Sequence, residues 1–277
     1  MSNTCIGRAF APANLSCVFK VCPGPSPAEA GSLGVGITLQ NGVEATVRPA
    51  EQNAILVNGE AWDFPTVNSV VQALTTQSVE VVINATLPFG AGFGMSGASA
   101  LATALALDVS LGLNRSRADL AMVAHIAEVT CGTGLGDVCG QVVGGFRIRR
   151  ELGHPLASEP LDISEERLYF RVFGPLETKG IIGDDEKIQR INKAGDQALE
   201  AVRRTATLGL PELIEISCRF ASQSGLLTSE KVTDTIHEIE RDGGNASMVM
   251  LGESVYADIP FPGCQTGIIG RTGAMVL

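Results

Sequence analysis

Several common signatures are missing from the sequence, and each absence argues against a class of protein. No CxxC pair occurs among the seven cysteines, and seven is an odd number, so neither a zinc ribbon nor a disulfide framework is expected. The 20 basic residues are outnumbered by 30 acidic ones, and a net charge of −10 disfavours a nucleic-acid or anionic membrane surface. The longest apolar run, around Ala98 to Leu107, is too short to span a bilayer.

The remaining composition is that of a globular protein. Hydrophobic residues make up 45% of the chain and charged residues 18%, and 277 residues allow one large domain or two of moderate size. No signal pattern precedes the first apolar segment. We therefore expect a cytoplasmic location and a small-molecule partner, with no nucleic-acid or membrane partner. A homodimer is left open.

One glycine-rich stretch, Leu87 to Ala100, lies between two strongly apolar segments. The β-branched segment Val79–Ala85 before it predicts a strand, and Ser99–Leu111 after it predicts a buried helix. Glycines at positions 90, 92, 94 and 97 let the backbone adopt positive φ and let a ligand approach closely. The free N–H groups at the start of a helix favour an anion. This stretch therefore predicts a phosphate site.

Three known kinds of glycine loop can be compared with this stretch. A P-loop needs a Gly-Lys dipeptide, which the chain lacks. Gly92 to Gly97 matches the dinucleotide pattern GxGxxG, but a second helical stretch, Arg115–Thr130, follows where a strand with an acidic end would be needed. A nucleophile elbow needs glycine two residues after the serine, and Ala98 occupies that position.

A second glycine-rich loop runs from Cys131 to Val138 and contains Asp137. Three glycines in five residues beside an acid are costly for stability, which favours a functional role. Asn114 is a suitable N-cap for the helix before this loop, and that helix carries Glu128 near its end. The segment after the loop, Gln141 to Arg150, predicts a strand.

The rest of the chain shows strand and helix signals in an α+β order. Residues 5–22 form two apolar segments separated at a proline turn, and Asn41-Gly42 and Asn58-Gly59 predict hairpin turns between short strands. A second half begins with the strand Tyr169–Phe173. It continues with helices predicted at 184–208, 211–224 and 229–241, and with strands at 246–251, 254–259 and, more weakly, 263–270.

These residues can be assembled into a site for phosphoryl transfer. Such a site needs a cradle for phosphates, Mg²⁺, a residue that orients or deprotonates the acceptor hydroxyl, and charge neutralisation. Ser96 can supply a hydroxyl and Glu128 a carboxylate to Mg²⁺, because that ion prefers oxygen ligands. Asp137 is the candidate base. Lys20 is either a cation that steadies the transferred phosphate or a solvent-facing lysine on a strand.

The pattern Pro-x-x-Ala-Gly-x-Gly-x-Ser-Gly-Ala from Pro88 to Ala98 resembles the ATP-binding loop of the GHMP kinases. Ala9 to Leu15 resembles the first motif of that family, and Gly243 to Gly252 resembles the third. The resemblance implies that Ser96 and Glu128 bind Mg²⁺ and that Asp137 is the catalytic aspartate. It also implies that ATP is bound by Pro88, Gly90, Ala91, Gly92, Phe93, Gly94, Met95, Ser96, Gly97 and Ala98.

Three further motifs resemble one branch of that family, the archaeal pantoate kinases. They are Ser-Met-x-Met-Leu-Gly at 247–252, Gly-Ser-x-Gly-x-Gly at 31–36, and Thr133 to Asp137. This resemblance implies phosphorylation of the 4-hydroxyl of pantoate, giving 4-phosphopantoate on a route to coenzyme A. For the carboxylate of pantoate, the backbone of residues 32–36, Arg8, Lys20 and Arg147 are all candidates. The substrate residues implied are Ser32, Gly34, Gly36, Arg8, Thr133 and Gly134.

The fold implied is α+β with the two-domain GHMP architecture. A βαβ-type ATP-binding domain is expected over residues 1–160, a ferredoxin-like layer over residues 161–277, and the site between them. Three alternatives stay open on the sequence. They are a GHMP kinase for homoserine, mevalonate or a sugar, a ligand sensor that keeps the fold without turnover, and an oxidoreductase that rests on the GxGxxG match alone.

Overall fold

The computed structural model describes residues 5–154, 156–175 and 184–277. Its helices within these ranges are α1 (Pro65–Leu74), α2 (Met95–Leu111), α3 (Arg117–Cys131), α4 (Asp137–Val143), α5 (Asp185–Arg204), α6 (Leu210–Ser224) and α7 (Glu230–Arg241). The strands are β1 (Gly7–Cys22), β2 (Gly31–Pro49), β3 (Ala54–Val57), β4 (Glu60–Ala61), β5 (Val79–Ala85), β6 (Phe146–Arg149), β7 (Glu159–Pro160), β8 (Arg167–Gly174), β9 (Ala246–Met248), β10 (Glu253–Ala257), β11 (Gln265–Ile268) and β12 (Met275–Val276).

The larger of two sheets is built on a long antiparallel pair, β1 and β2. Its strand order is β12-β1-β2-β5-β3-β4, with β6 paired to β2 and β7 to β6. The predictions of a proline turn near Pro12 and of a hairpin at Asn41-Gly42 are wrong, since both strands continue through these positions. The register of the β1–β2 pairing shifts between Pro12 and Ala13, and this irregularity accommodates the proline within the strand. Gly42 is needed for close approach, because a Cβ there would lie 2.2 Å from the carbonyl oxygen of Ala11.

The predicted hairpin at Asn58-Gly59 is confirmed. It joins β3 to β4, and the φ angles of 49° at Asn58 and 88° at Gly59 place both residues in the left-handed region. Two consecutive positive φ angles are the mark of a tight turn that follows the natural twist of the two strands.

Helix α2 lies at the centre of the first layer. It packs against β1 and β2 on one side and against α1 and α3 on the other, so apolar residues cover its whole circumference. The helix begins at Met95, four residues before the predicted start, because Gly94 adopts the left-handed conformation (φ 59°) and serves as the N-cap. The glycine loop therefore leads directly into the first turn.

Two other predicted boundaries are wrong. Helix α3 is capped by Ser116, whose hydroxyl oxygen accepts a hydrogen bond from the Asp119 N–H at 3.1 Å, whereas Asn114 has a φ of 56° and lies outside the helix. Of the strand predicted over 141–150, residues 141–143 belong instead to helix α4, and residues 146–149 form the short strand β6. Gly144 and Gly145, with φ angles of 81° and 84°, separate the two elements.

The second sheet is antiparallel and has four strands in the order β11-β8-β10-β9. Helix α6 packs against β9, α7 packs against β9 and β10, and α5 packs against α6. Two sheets with associated helices confirm the mixed α+β organisation predicted from the sequence. The last strand, β12, returns to the first sheet and pairs with β1. In the described part of the chain, no helix has the combination of length and apolarity needed to cross a bilayer.

Because α2 is buried on all sides, we expect Leu101→Ala to lower the free energy of unfolding by about 2–5 kcal/mol, the usual cost of such a cavity. Leu101 is fully buried in α2. Urea denaturation measures the change, which should lower the midpoint without changing the m-value. Arg115→Ala, at an exposed position before α3, is the control. A midpoint of Leu101→Ala equal to that of the control would contradict the central place of α2.

Candidate active site

A cavity of about 510 Å³ opens beside the N-terminus of α2. Its walls come from the glycine-rich loop before α2, the second glycine loop, an aromatic group before α1, and a turn that follows β9. The lining residues are Ser16, Phe19, Ser32, Trp62, Asp63, Phe64, Phe89, Gly90, Gly92, Phe93, Gly94, Met95, Ser96, Gly132, Thr133, Gly134, Leu135, Gly136, Asp137, Met250 and Leu251.

The first glycine loop is shaped by three left-handed glycines. The φ angles of Gly90, Gly92 and Gly94 are 76°, 87° and 59°. The loop is tied to β1, because the N–H of Asn14 donates to the carbonyl oxygen of Phe93 at 2.9 Å. Ser96 lies in the first turn of α2, where backbone N–H groups have no partner within the helix. The cavity therefore has the backbone donors and the helix dipole that an anion requires.

The turn after β9 packs directly on this loop. The prediction of a strand over 246–251 is wrong in its second half, since β9 ends at Met248 and Leu251 has a positive φ of 63°. The hydroxyl of Ser254 donates to the carbonyl oxygen of Ala91 at 3.0 Å. A Cβ on Gly252 would lie 2.0 Å from that same oxygen, so only glycine permits this packing. The turn after β9 thus supports the first glycine loop.

Glu128 lies at the end of α3 and is 1% exposed. Its Oε1 accepts a hydrogen bond from Thr133 Oγ1 at 2.6 Å, while its Oε2 has no hydrogen-bond partner in the described residues. Burial raises the pKa of Glu128 to about 7; the charge of Asp137 adds to the rise, and hydrogen bonds from Thr133 and Ser96 oppose it. A buried carboxylate oxygen without a donor is the arrangement expected where a cation completes the site.

Asp137 is the first residue of α4. Its Oδ1 accepts a hydrogen bond from Asn14 Nδ2 at 2.7 Å, and Ser16 Oγ lies 3.4 Å from the same oxygen. Burial raises the pKa of Asp137, and the hydrogen bonds from Asn14 and Ser16 oppose this effect. A Cβ on Gly134 would lie 2.1 Å from Glu128 Oε2 and 3.4 Å from Asp137 Oδ2, so the two carboxylates face one small region. Glycine at position 134 is therefore required.

The structure brings together Ser96, Glu128 and Asp137, three residues named from the sequence. It does not bring Lys20 or Arg8 to the cavity. Lys20 Nζ pairs with Asp196 Oδ1 at 2.7 Å, and Arg8 pairs with Glu44 near the start of β1. Thr133, named as a substrate residue, lines the cavity and also bonds Glu128.

A smaller cavity adjoins the main one and shares Ser16, Phe19, Ser32 and Gly136 with it. We call this second space the annex. Gly34 and Gly36, named from the sequence, line it. Asn14 lines it close to Asp137, and Arg147 and Arg149 line it as well. These two arginines are two residues apart on β6, so their side chains point to the same face of the strand.

Arg149 is a functional candidate that sequence reasoning missed. It is 6% exposed, its Nε donates to the carbonyl oxygen of Glu151 at 3.2 Å, and its second guanidinium nitrogen NH1 has no hydrogen-bond partner in the described residues. Arg147, which the sequence analysis names as a candidate for a substrate carboxylate, donates hydrogen bonds to the side chain and the backbone carbonyl of Ser158. The sequence does show two arginines at alternate positions of a strand. Their place beside the cavity, however, depends on the pairing of β6 with β2, which the sequence does not reveal.

A group of three aromatic rings borders the cavity, and sequence reasoning missed it too. The ring centroid of Trp62 lies 4.8 Å from that of Phe89 and 5.4 Å from that of Phe64, with the Phe89 contact edge-to-face. Trp62 remains 45% exposed although it lines the cavity. An exposed aromatic surface beside a phosphate loop suits a flat heterocycle.

The donors present fit a magnesium ion that is shared with phosphate. Mg²⁺ takes few protein oxygens and completes its shell with phosphate oxygens and water. Ser96 and Glu128 offer a hydroxyl and a partnerless carboxylate oxygen. Among the described residues no cluster of three or more His, Cys, Asp or Glu side chains could hold a metal by itself, so the donor set does not resemble a closed protein cage.

We expect the stability of the metal-free protein to fall as the pH rises from about 4.5 toward 7, because the folded state holds the Glu128 proton more tightly than the unfolded state does. Glu128→Gln should remove up to about 3 kcal/mol of that pH dependence. Urea denaturation in chelator at roughly pH 5 and pH 8 measures it. Glu230→Gln, an exposed glutamate on α7, is the control. If the free energy of unfolding changed equally with pH in the Glu128→Gln variant and the wild type, Glu128 would not be the group with the raised pKa.

Comparison with known proteins identifies the relatives of this chain. Residues 64–145, which include both glycine loops, match the family described as the GHMP kinases N terminal domain. A pantoate kinase of Methanocaldococcus jannaschii is 32% identical over 252 residues, covering 89% of this chain and 90% of the relative. A pantoate kinase of Thermococcus kodakarensis is 32% identical over 266 residues, covering 90% of this chain and 86% of the relative.

A solved structure gives the same answer for the fold. It is described as a phosphotransferase related to the CoA biosynthesis pathway, superposes with a TM-score of 0.86, is 26% identical, and is covered to 98% in both chains. The identity of 32% to two curated relatives, over 89% and 90% of this chain, establishes the relationship. The chain belongs to the GHMP kinase family, in the group that contains these pantoate kinases.

Proposed function

We propose that the chain is a pantoate kinase, which transfers the γ-phosphoryl group of ATP to the 4-hydroxyl of pantoate and yields 4-phosphopantoate and ADP. The observation that carries this proposal is the convergence of Ser96, Glu128 and Asp137 at the glycine loop, beside an annex that holds a buried arginine with an unsatisfied nitrogen. We choose pantoate as the substrate because the two relatives are named pantoate kinases. The product belongs on a route to coenzyme A, in line with the description of the solved neighbour.

ATP binds with its phosphates along the loop from Pro88 to Ala98. The positive φ angles of Gly90, Gly92 and Gly94 support this placement, because they turn backbone toward the cavity without a Cβ. The first N–H groups of α2 then face the phosphate charge. Ser96 and Glu128 hold Mg²⁺, which when bound neutralises charge on the β- and γ-phosphates. The aromatic group of Trp62, Phe64 and Phe89 borders the space left for the base.

Asp137 receives the proton of the acceptor hydroxyl. Asn14 donates to its Oδ1, and this bond favours the charged carboxylate and leaves Oδ2 for the substrate. The transition state of phosphoryl transfer is loose, so the carboxylate needs only to orient the hydroxyl and accept its proton late. The raised pKa of Asp137 makes it a stronger base than an exposed aspartate once it is ionised.

Pantoate lies with its 4-hydroxyl at Asp137 and its carboxylate toward the arginines of the annex. Ser32 supports this placement of pantoate across the two cavities, because it lines both of them. Its N–H donates to the carbonyl oxygen of Leu135 at 3.1 Å, which ties it to the second glycine loop. Arg149 is the anchor we favour, because its partnerless buried nitrogen would gain a charge-assisted hydrogen bond. Gly34, Gly36, Thr133 and Gly134 complete the proposed substrate surface. Lys20 and Arg8 are not part of it.

The remaining sequence-based expectations stay part of the proposal. The change from the first to the second sheet between Pro160 and Arg167 supports a division into domains at 1–160 and 161–277, although β12 crosses back. The net charge of −10 supports a small-molecule partner rather than nucleic acid. A cytoplasmic location follows from a role in the metabolism of a small acid.

The function is tested by coupled ADP release with ATP, Mg²⁺ and pantoate, pantothenate, homoserine or mevalonate. Activity confined to pantoate is expected. Asp137→Asn should lower kcat by about 100-fold or more while ATP binding stays nearly unchanged, because the base acts only on the acceptor. Phosphorylation of another alcohol would overturn the substrate, and a variant that lost ATP affinity but kept its turnover would overturn the role of Asp137.

The carboxylate anchor gives a separate prediction. Arg149→Gln should raise the KM for pantoate by about 10–100-fold, the usual cost of one charge-assisted hydrogen bond, with the KM for ATP little changed. The matched control is Arg150→Gln, because Arg150 neighbours it on the chain but pairs with Glu159 at 2.9 Å outside the annex. Initial-rate kinetics at varied pantoate measure both. A KM of Arg149→Gln within threefold of the control would exclude Arg149 as the anchor.

A further inference from the structure

Gln141 is a fully buried polar residue that the proposed mechanism does not use. It lies on α4, and its side-chain Nε2 donates a hydrogen bond to the carbonyl oxygen of Gly94 at 2.7 Å. Its Oε1 has no partner in the described residues. An amide buried inside a protein costs free energy unless its bonds are useful, so this residue calls for an explanation.

The bond to Gly94 joins the two halves of the site. Gly94 is the left-handed N-cap of α2, and its carbonyl oxygen also accepts from the Ala98 N–H at 3.0 Å. Gln141 therefore supplies the second donor to a single carbonyl at the start of α2. This carbonyl precedes the N–H groups that face phosphate, so its direction determines theirs.

The same helix carries the catalytic aspartate. Asp137 and Gln141 are four residues apart on α4, so they lie on one face, and both contact Gly94. A Cβ on Gly94 would lie 2.9 Å from Asp137 Cγ and 3.1 Å from Gln141 Nε2. Helix α4 thus contacts Gly94 through two side chains that are one turn apart. Of these two, only Gln141 donates a hydrogen bond to the Gly94 carbonyl oxygen.

Helix α4 is itself held in place from the opposite side. The backbone carbonyl of Gln141 accepts from the Ala274 N–H at 2.8 Å, and the next carbonyl, that of Val142, accepts from Arg117 at 2.6 Å. With the backbone of α4 fixed in this way, the side chain of Gln141 transmits the position of α4 to the phosphate loop.

We propose that Gln141 is a positioning residue that fixes the distance between the phosphate loop and Asp137. The inference rests on the proposed phosphoryl transfer and adds the element that aligns donor and acceptor. The phosphate is held by the turn after Gly94, and the acceptor hydroxyl by Asp137. An error of about 1 Å between them lowers the rate by on the order of 100-fold, although each ligand can still bind.

The test uses two variants that lose the bond in different ways. Gln141→Met keeps the size of the side chain and has no donor, whereas Gln141→Asn keeps an amide but withdraws it by one methylene. Single-turnover rates and kcat should fall by about 10–100-fold in both. The dissociation constant of a non-hydrolysable ATP analogue, measured by calorimetry, should stay within about threefold of the wild type, because the loop glycines and the helix N-terminus remain.

The matched control is Thr103→Val. Thr103 is also fully buried, lies on α2 and has a hydroxyl without a partner in the described residues, but it does not line either cavity. Its kcat should equal that of the wild type, which shows that loss of a buried polar group is not sufficient to slow the reaction.

Two results would overturn the proposal. One is a kcat within threefold of the wild type in either folded variant. The other is a loss of analogue affinity as large as the loss of kcat, which would mean that Gln141 only maintains the nucleotide loop. The comparison is made with whichever acceptor the wild type phosphorylates. Failure with pantoate therefore counts against the proposed function and leaves the comparison of Gln141 variants intact.

Discussion

The site depends on the burial of two carboxylates beside the start of one helix. Glu128 and Asp137 approach a common region next to Gly134, and burial raises the pKa of both. Such a pair is costly unless donors and a cation compensate for the lost hydration. Thr133 and Asn14 provide donors, and the missing Cβ of Gly134 provides the room. The two carboxylates therefore lower the stability of the fold at the place where the proposed function puts phosphate and a cation.

Strand β1 connects this chemistry to the rest of the fold. Its pairing with β2 shifts register between Pro12 and Ala13, before Asn14, and again between Ser16 and Val18, after Ser16. Two of the four residues between these shifts, Asn14 and Ser16, reach the same oxygen of Asp137. Because side chains alternate along a strand, Asn14 and Ser16 share the face toward Asp137, while Ala13 and Leu15 are fully buried in the core. One strand therefore serves both the core and the site.

The residues that were named from the sequence and that the structure brings together belong to local patterns. The glycine loop, Ser96, Glu128 and Asp137 lie within short motifs whose physical meaning depends on neighbours along the chain. The sequence did not predict the features that depend on contacts between distant parts of the chain. Gly42 suggested a turn but permits two strands to approach, and Arg149 acquires its role only when β6 pairs with β2. The sequence prediction placed residues 141–143 of α4 in the strand that follows, because three residues are too few for periodicity to separate a helix end from a strand.

The return of β12 to the first sheet has a consequence for the order in which the chain is completed. Residues 275–276 pair with β1, Thr38 Oγ1 donates to the carbonyl oxygen of Gly270 at 2.7 Å, and the backbone of residues 270–273 fits against Gly144. During synthesis these contacts form only after the residues of the second sheet, which precede residues 270–276, have been made. Until then β1 has an open edge, and α4 lacks one of its backbone partners. The first sheet is therefore built mostly from residues before position 161, but its edge at β1 is closed by residues 275–276.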